Sequence, residues 1–272
     1  MDPKKETIIS DIRDAARAAG KEILAQYHNA FPDAQKKEFP VTVADTAAQT
    51  IITRLLKAHH PDIPILSEEK KDDRSYRTTP HCFIVDPLDG TKDFVGKTGE
   101  FSVMIAYVEN GSVMASAVYQ PIGDVLYWAL RGKGAYKESE EKTRALQVSD
   151  ESDVSSMKLV TSRFHLKEYE MKVKEFLHIE NETKMGSAGL KMAAIAEGSA
   201  HIYINASPET GEWDTAAGSL IVEEAGGMVT DRNGAPLQFG KEDPHNTNGF
   251  VVSNGVRHDE IVKALQMIAG SA

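Results

Sequence analysis

The chain has 272 residues, a single cysteine, two tryptophans, fewer basic than acidic residues and no long apolar run. With only Cys82 there can be no internal disulfide, and its setting in "HCFIVD" reads as a buried strand position where a free thiol packs as a small hydrophobe. No window approaches the roughly 18 apolar residues of a membrane-spanning helix, and the opening "MDPKKETIISDIRDAARAAG" lacks the apolar core of a secretory leader. The expectation is a soluble protein of the cytoplasm. Lysine and arginine number 31 against 41 aspartates and glutamates, a formal charge of −10, so the surface as a whole repels nucleic acid and anionic membranes. An anionic substrate would need a local positive site, from a bound metal or from a few placed basic groups.

Hydrophobic residues make up 41% of the chain, enough to fill a core. Ile8, Ile12, Ala16, Ala19 and Ile23 recur at three- and four-residue steps and predict an amphipathic helix over 7–27. A second helix is expected over 47–59, closed by Pro61, followed by a short strand at "IPIL". The segments "FIVD", "FSVMIAYV", "SVMASAVYQP", "DVLYWALR" and "GAYKE", separated by turn signals, then read as an antiparallel meander. Beyond about residue 142 strands and helices alternate: strand "KLVTS", helices near 167–177 and 189–197, strand "HIYIN", a helix over 215–225, strands "GMVTD" and "FVVSN", and a last helix from His258. Two halves are expected, an α+β half over 1–140 with most of the acidic points and an α/β half over 141–272, without repeats or a long linker between them.

Four acidic points stand out, each at the end of an apolar element and beside Thr, Gly or Pro. In "FIVDPLDGTKDF" a strand runs straight into Asp86 and Asp89, with Gly90 permitting a tight turn and Thr91 adding a hydroxyl. Hard oxygen donors with no His or Cys beside them suit Mg²⁺ better than zinc. The other points are Glu68-Glu69 after "PILS", Asp45 in "PVTVADTAAQ" and Asp214 in "GEWDTAAGSLIVEEAGG". Taken singly each has a plainer reading: a solvated turn, a charged loop, or an N-cap for the helix after Asp45 and after Asp214.

Taken together, "PVTVAD", "LSEE", "DPLDGT" and "WDTAAG…EEAGG", in this order over nearly the whole chain, resemble the lithium-sensitive, Mg²⁺-dependent phosphomonoesterases of the inositol monophosphatase superfamily. Within it the chain looks most like the 3′(2′),5′-bisphosphate nucleotidases, which hydrolyse 3′-phosphoadenosine 5′-phosphate, a by-product of sulfur metabolism. The resemblance implies a layered α-β-α-β-α sandwich and two or three Mg²⁺ ions held by Glu68, Asp86, Asp89, Asp214 and the carbonyl of Leu88. It implies that Asp45 and Thr91 position and deprotonate the attacking water, and that the Gly90 and Thr91 amides receive the phosphate. Glu69 is the weaker metal candidate of its pair.

For the nucleotide, "TSRFH" is similar to a Ser/Thr-Arg-x-His stretch that places Ser162 and His165 on substrate, and "GSAGLK" offers Ser187 and, for a second phosphate, Lys191. The residue seven before Asp214, an acid in inositol monophosphatases, is Ser207, although Glu209 and Glu212 lie close by. Without the resemblance, Lys191 reads as a surface lysine, His165 as a loop residue and Arg163 as a partner for surface acid. Neither Trp128 nor Trp213 is placed near a base by sequence. The competing readings are an inositol monophosphatase or broad phosphomonoesterase, and a silent Mg²⁺- or nucleotide-binding protein on the same fold. The expected partner is a small phosphate monoester, with monomer and homodimer both open.

Overall fold

The computed structural model describes residues 3–27, 43–69, 75–140, 142–164 and 168–270. The stripe Ile8, Ile12, Ala16, Ala19 and Ile23 forms the fully buried face of α1 (Pro3–Tyr27). Its neighbour α2 (Val43–His59) starts four residues before the expected boundary. Asp45 is therefore the third residue of this helix and not its N-cap. An acid there is favoured in any case, because the unbonded amides of the first turn carry partial positive charge.

The meander is one seven-stranded sheet whose strands lie in chain order: β1 (Ile65–Ser67), β2 (His81–Asp89), β3 (Ser102–Glu109), β4 (Ser112–Gln120), β5 (Val125–Leu130), β6 (Ala135–Ser139) and β7 (Lys142–Ala145). Only the β1–β2 pair is parallel. The edge strand β7, "KTRA", is exposed throughout, and with no apolar alternation it left no periodic trace in the sequence.

After a short helix α3 (Thr91–Val95) between β2 and β3, the second half supplies β8 (Lys158–Ser162), α4 (Glu168–Phe176), β9 (Asn181–Met185), α5 (Ala188–Ala196), β10 (Ile202–Asn205), α6 (Ala216–Glu224), β11 (Met228–Thr230), β12 (Phe250–Ser253) and α7 (His258–Gly270). Its five strands run β11-β12-β10-β8-β9, with β12 antiparallel to both neighbours and β10, β8 and β9 mutually parallel. The polar β9, "NETKM", is the other strand that no pattern announced.

Side-chain alternation assigns the layers. Phe83 and Val85 of β2 pack with α1 and α2, whereas Cys82 and Ile84 face α5 and α6. Helix α5, "AGLKMAAIA", is buried all round, as a helix between two sheets must be. On the far side of the second sheet α7 and α4 close a separate apolar cluster around Leu159, Ile202, Val251 and Ile261. The order is α-β-α-β-α, as expected. Among the described residues no helix is long and apolar enough to cross a membrane.

Candidate active site

Strand β2 carries the first two acidic points through an irregularity. Residues three apart on a regular strand face opposite sides of the sheet. Here Asp86 pairs with Met104 and Asp89 with Ser102, so β2 uses three steps where β3 uses two. The extra residue is a bulge that turns both carboxylates to the side facing α5, and it accommodates Pro87, which has no amide to donate. The Leu88 amide closes the bend by donating to Asp86 Oδ1 at 3.0 Å. Gly90 follows at φ +92°, where a Cβ would meet the Glu100 carbonyl oxygen at 3.0 Å and the Ser187 nitrogen at 3.2 Å. Only glycine fits there without strain.

Asp214 comes from the other half. The turn Glu212–Asp214 is a single 3₁₀ turn closed by Gly211 donating its amide to Asp214 Oδ2 at 2.6 Å, and Thr215, not Asp214, is the boundary residue of α6. One oxygen each of Asp86, Asp89 and Asp214 lies within 4.8 Å of the others. Glu68, just past β1, lies close enough for its charge to act on Asp86 and to feel Asp89 and Asp214. Burial, then the charges of Asp214, Glu69 and Asp89, push Glu68 up to about 8. Burial and Asp89 push Asp214 up to about 7, and burial with Glu68, Asp89 and Asp214 holds Asp86 well above the carboxylate range. Glu69 is raised as well, by burial and then by Asp45. These groups fit a hard divalent cation: all donors are oxygens, the carboxylates converge, and their mutual repulsion is what a bound cation would relieve.

The acids line a cleft of about 460 Å³ between the two sheets, within the range of small-molecule sites. Of the expected residues, Glu68, Asp86, Leu88, Asp89, Gly90, Thr91, Ser162, Ser187, Lys191 and Asp214 all border it. Thr91 Oγ1 donates to the Leu88 carbonyl at 3.2 Å. Asp45 is buried in α2, near enough for its charge to act on Glu69, and does not border the cleft. His165 lies outside the described residues.

Lys191 is no surface lysine: it is 3% exposed, with Nζ donating to the Ser187 carbonyl at 2.9 Å and resting 5.1 Å from the centre of the Tyr203 ring. Burial lowers its pKa, against which Asp89, Asp93, Asp214 and Glu100 act. Arg163 takes the role of a partner for acid, donating to Asp93 at 3.2 Å and to Glu100 at 2.5 Å. Ser207 borders the cleft and is buried; of the two nearby acids Glu209 borders it too, while Glu212 faces away and accepts the amides of Gly240 and Lys241.

Tyr203, Asn205, Thr210 and Asp93 also border the cleft and were not singled out by sequence. Tyr203 and Asn205 sit at alternate positions of β10, so the period of "HIYIN" placed them on one face but could not say which face met a ligand. Trp213 borders the cleft, whereas Trp128 lies on β5, stacked on Tyr136 with ring centres 4.5 Å apart.

Residues 4–269 match the model of the inositol monophosphatase family. The chain is 38% identical to the 3′(2′),5′-bisphosphate nucleotidase CysQ of Escherichia coli K12, over 90% of this chain and 99% of that one. It is 34% identical to the fructose-1,6-bisphosphatase/inositol-1-monophosphatase of Thermotoga maritima, over 84% of this chain and 83% of that one. Among solved structures, CysQ from Bacteroides thetaiotaomicron aligns with a TM-score of 0.76 at 34% identity, covering 91% of this chain and 97% of that one. The suhB protein of Bartonella henselae aligns with a TM-score of 0.81 at 28% identity, covering 96% and 98%. A family match over almost the full length, on a fold whose β2 bulge and 3₁₀ turn bring the motif acids together, makes this chain a member of the inositol monophosphatase family.

Proposed function

We propose that the protein is a Mg²⁺-dependent 3′(2′),5′-bisphosphate nucleotidase that hydrolyses 3′-phosphoadenosine 5′-phosphate, and by extension its phosphosulfate, to release the 3′-phosphate. The observation that carries this reading is the buried ammonium of Lys191 on the wall of the cleft that holds the carboxylate cluster. A monophosphate needs no second cation, whereas a bisphosphate does. The nucleotidase names of the CysQ relatives point the same way.

In this reading Glu68, Asp86, Asp89, Asp214 and the Leu88 carbonyl hold two or three Mg²⁺ ions. Bound Mg²⁺ supplies the charge that lets a phosphate dianion enter the cleft and lowers the pKa of water there. The protein's own groups do the rest. Gly90 and Thr91 present backbone amides to the phosphate, and the left-handed Gly90 allows that close approach. Thr91 orients the attacking water and passes a proton toward Asp45. Its hydroxyl proton, which points to the Leu88 carbonyl in the structure, would turn about the Cβ–Oγ1 bond to take part. Ser162 and His165 hold the substrate, Ser187 borders it, and Lys191 pairs with the 5′-phosphate.

The second reading, an inositol monophosphatase or broad phosphomonoesterase, is favoured by Glu209, an acid on the cleft wall able to accept polyol hydroxyls, and by the name of the Thermotoga relative. The deciding experiment is phosphate release, with Mg²⁺, from 3′-phosphoadenosine 5′-phosphate and inositol 1-phosphate at matched concentrations. The nucleotide should be preferred by at least tenfold in kcat/KM, about 1.4 kcal/mol. A preference for inositol 1-phosphate would give the lead to the second reading.

A further inference from the structure

Asp89 is held differently from the acids around it. Its Oδ1 accepts the Ala188 amide at 3.0 Å, and its Oδ2 accepts the Gly189 amide at 2.8 Å and the Ser187 hydroxyl at 2.5 Å. Two close donors use both lone-pair directions of Oδ2, which leaves Oδ1 as the oxygen with a direction open. The proton positions follow from the same count. Ser187 Oγ accepts the Leu190 amide at 3.0 Å and gives its single proton to Asp89. Ser102 Oγ, fully buried on β3, lies 2.9 Å from Ser187 Oγ and 3.4 Å from Asp89 Oδ2, so it must donate to one of them.

Ser187 has a second attachment, because its carbonyl accepts the ammonium of Lys191. It stands at φ +54°, a region that non-glycine residues enter only when their surroundings hold them there. One residue thus touches a carboxylate of the acidic cluster through its side chain and the cation of the cleft wall through its backbone.

We propose that Ser187 is a positioning residue: its hydroxyl, backed by Ser102, turns Asp89 so that Oδ1 faces a bound cation, and its carbonyl fixes Lys191 relative to that centre. This departs from the expectation that Ser187 serves by touching substrate, and it rests on the metal reading above. Hydrogen bonds to a metal-ligating carboxylate set its orientation, and removing them weakens metal binding by about 10–100-fold.

The test is Mg²⁺ binding to the purified protein by titration calorimetry, backed by the Mg²⁺-dependent rise in Tm, for wild type, Ser187→Ala, Ser187→Gly and Ser102→Ala. Both Ser187 variants should bind Mg²⁺ about 10–100-fold more weakly, and Ser102→Ala should be weakened less. Recovery in the glycine variant alone would assign the effect to backbone strain and overturn the proposal. Unchanged Mg²⁺ affinity with a raised KM for 3′-phosphoadenosine 5′-phosphate would also overturn it, in favour of direct substrate contact. Should neither Ser187 variant fold, Ser102→Ala decides: weakened binding supports the proposal and wild-type binding overturns it. A wild-type protein that takes up no Mg²⁺ overturns the metal reading itself, an outcome distinct from the others.

Discussion

Glu138 and the acids of the cleft are both withdrawn from water, yet the fold treats them in opposite ways. On β6, Glu138 accepts Arg13 at 2.5 Å, Arg17 at 2.6 Å and the Trp128 indole at 2.8 Å. Burial alone would raise its pKa, but the Arg17 and Arg13 contacts outweigh burial and hold it below its ordinary value. In the cleft Glu68, Asp86 and Asp214 face chiefly other acids, and burial and mutual repulsion raise all three. A completed ion pair is a structural element. A cluster of like charges is costly to a fold unless protons or an incoming cation relieve it, which is why such clusters concentrate at functional sites. Burial alone does not make the distinction: Glu212 is fully buried and pushed up to about 7, but it is occupied with the Gly240 and Lys241 amides.

That contrast breaks most visibly at Asp214. Asp214→Asn removes charge from the cluster while its amide oxygen can still accept the Gly211 amide, so phosphatase activity should fall on the order of 10²–10³-fold or more with the melting curve little changed. Activity within tenfold of wild type would mean that the cluster is not the reaction centre. Asp89→Asn is the poorer test, because the new NH₂ would confront the Ala188 amide in one orientation, or the Gly189 amide and the Ser187 hydroxyl in the other, and disturb the fold as well.

Metal removal should expose the repulsion as a pH dependence. With Glu68 raised to about 8 and Asp214 to about 7, the folded state binds these protons more tightly than the unfolded chain does. The resulting stabilisation is complete only below the ordinary values of the two groups, 4.5 for Glu68 and 3.8 for Asp214, and is lost as the pH rises through 7 and 8. In EDTA, Tm should therefore fall between pH 6 and pH 8.5. Added Mg²⁺ should raise Tm more at the upper end, where no proton competes. An equal Mg²⁺ effect at both ends would place the cation elsewhere.

Lys191→Ala should raise KM for the bisphosphate by about tenfold, as expected for loss of a buried charge contact of about 1.4 kcal/mol. KM for adenosine 3′-monophosphate should change much less, and equal effects would remove Lys191 from a second-phosphate site. At Glu138 the outcome should be reversed in kind. Glu138→Ala strips partners from Arg13, Arg17 and the Trp128 indole and should cost about 1–3 kcal/mol in urea unfolding, while kcat/KM of the folded enzyme stays within about twofold. A large loss of turnover there would show that α1 and β6 bear on the reaction.

Much of the fold was legible because its signals are local. The stripe of α1 follows from burial on one face, and the apolar runs of β2 to β5, bounded by turn signals, follow from a sheet covered by helices on both faces. Strands β7 and β9 were invisible, since they are polar edges held by backbone pairing to neighbours. Helix α2 begins earlier than the sequence suggests: Ala44 continues the buried stripe of Ala48, Ile52 and Leu56, but a lone alanine between the exposed Val43 and the charged Asp45 is too weak a hydrophobic signal to mark a helix start. At the site, residue types and motif order pointed to the acids, but both N-cap readings failed: Asp45 lies inside its helix and Asp214 closes a 3₁₀ turn.

Charge, hydropathy pattern and the short motifs therefore suffice to say that acidic points follow apolar elements on an α-β-α-β-α chain. They cannot say which way those points face. The β2 bulge decided that Asp86 and Asp89 look the same way, and the packing of the Glu212–Asp214 turn on β2 decided that Asp214 meets them. The same packing buried Lys191 beside Tyr203, committed Arg163 to Asp93 and Glu100, and separated Glu209 on the cleft wall from Glu212 behind it. Orientation and burial depend on partners 70 to 100 residues away along the chain, such as the Ala188 and Gly189 amides on Asp89, and no local pattern encodes contacts at that range.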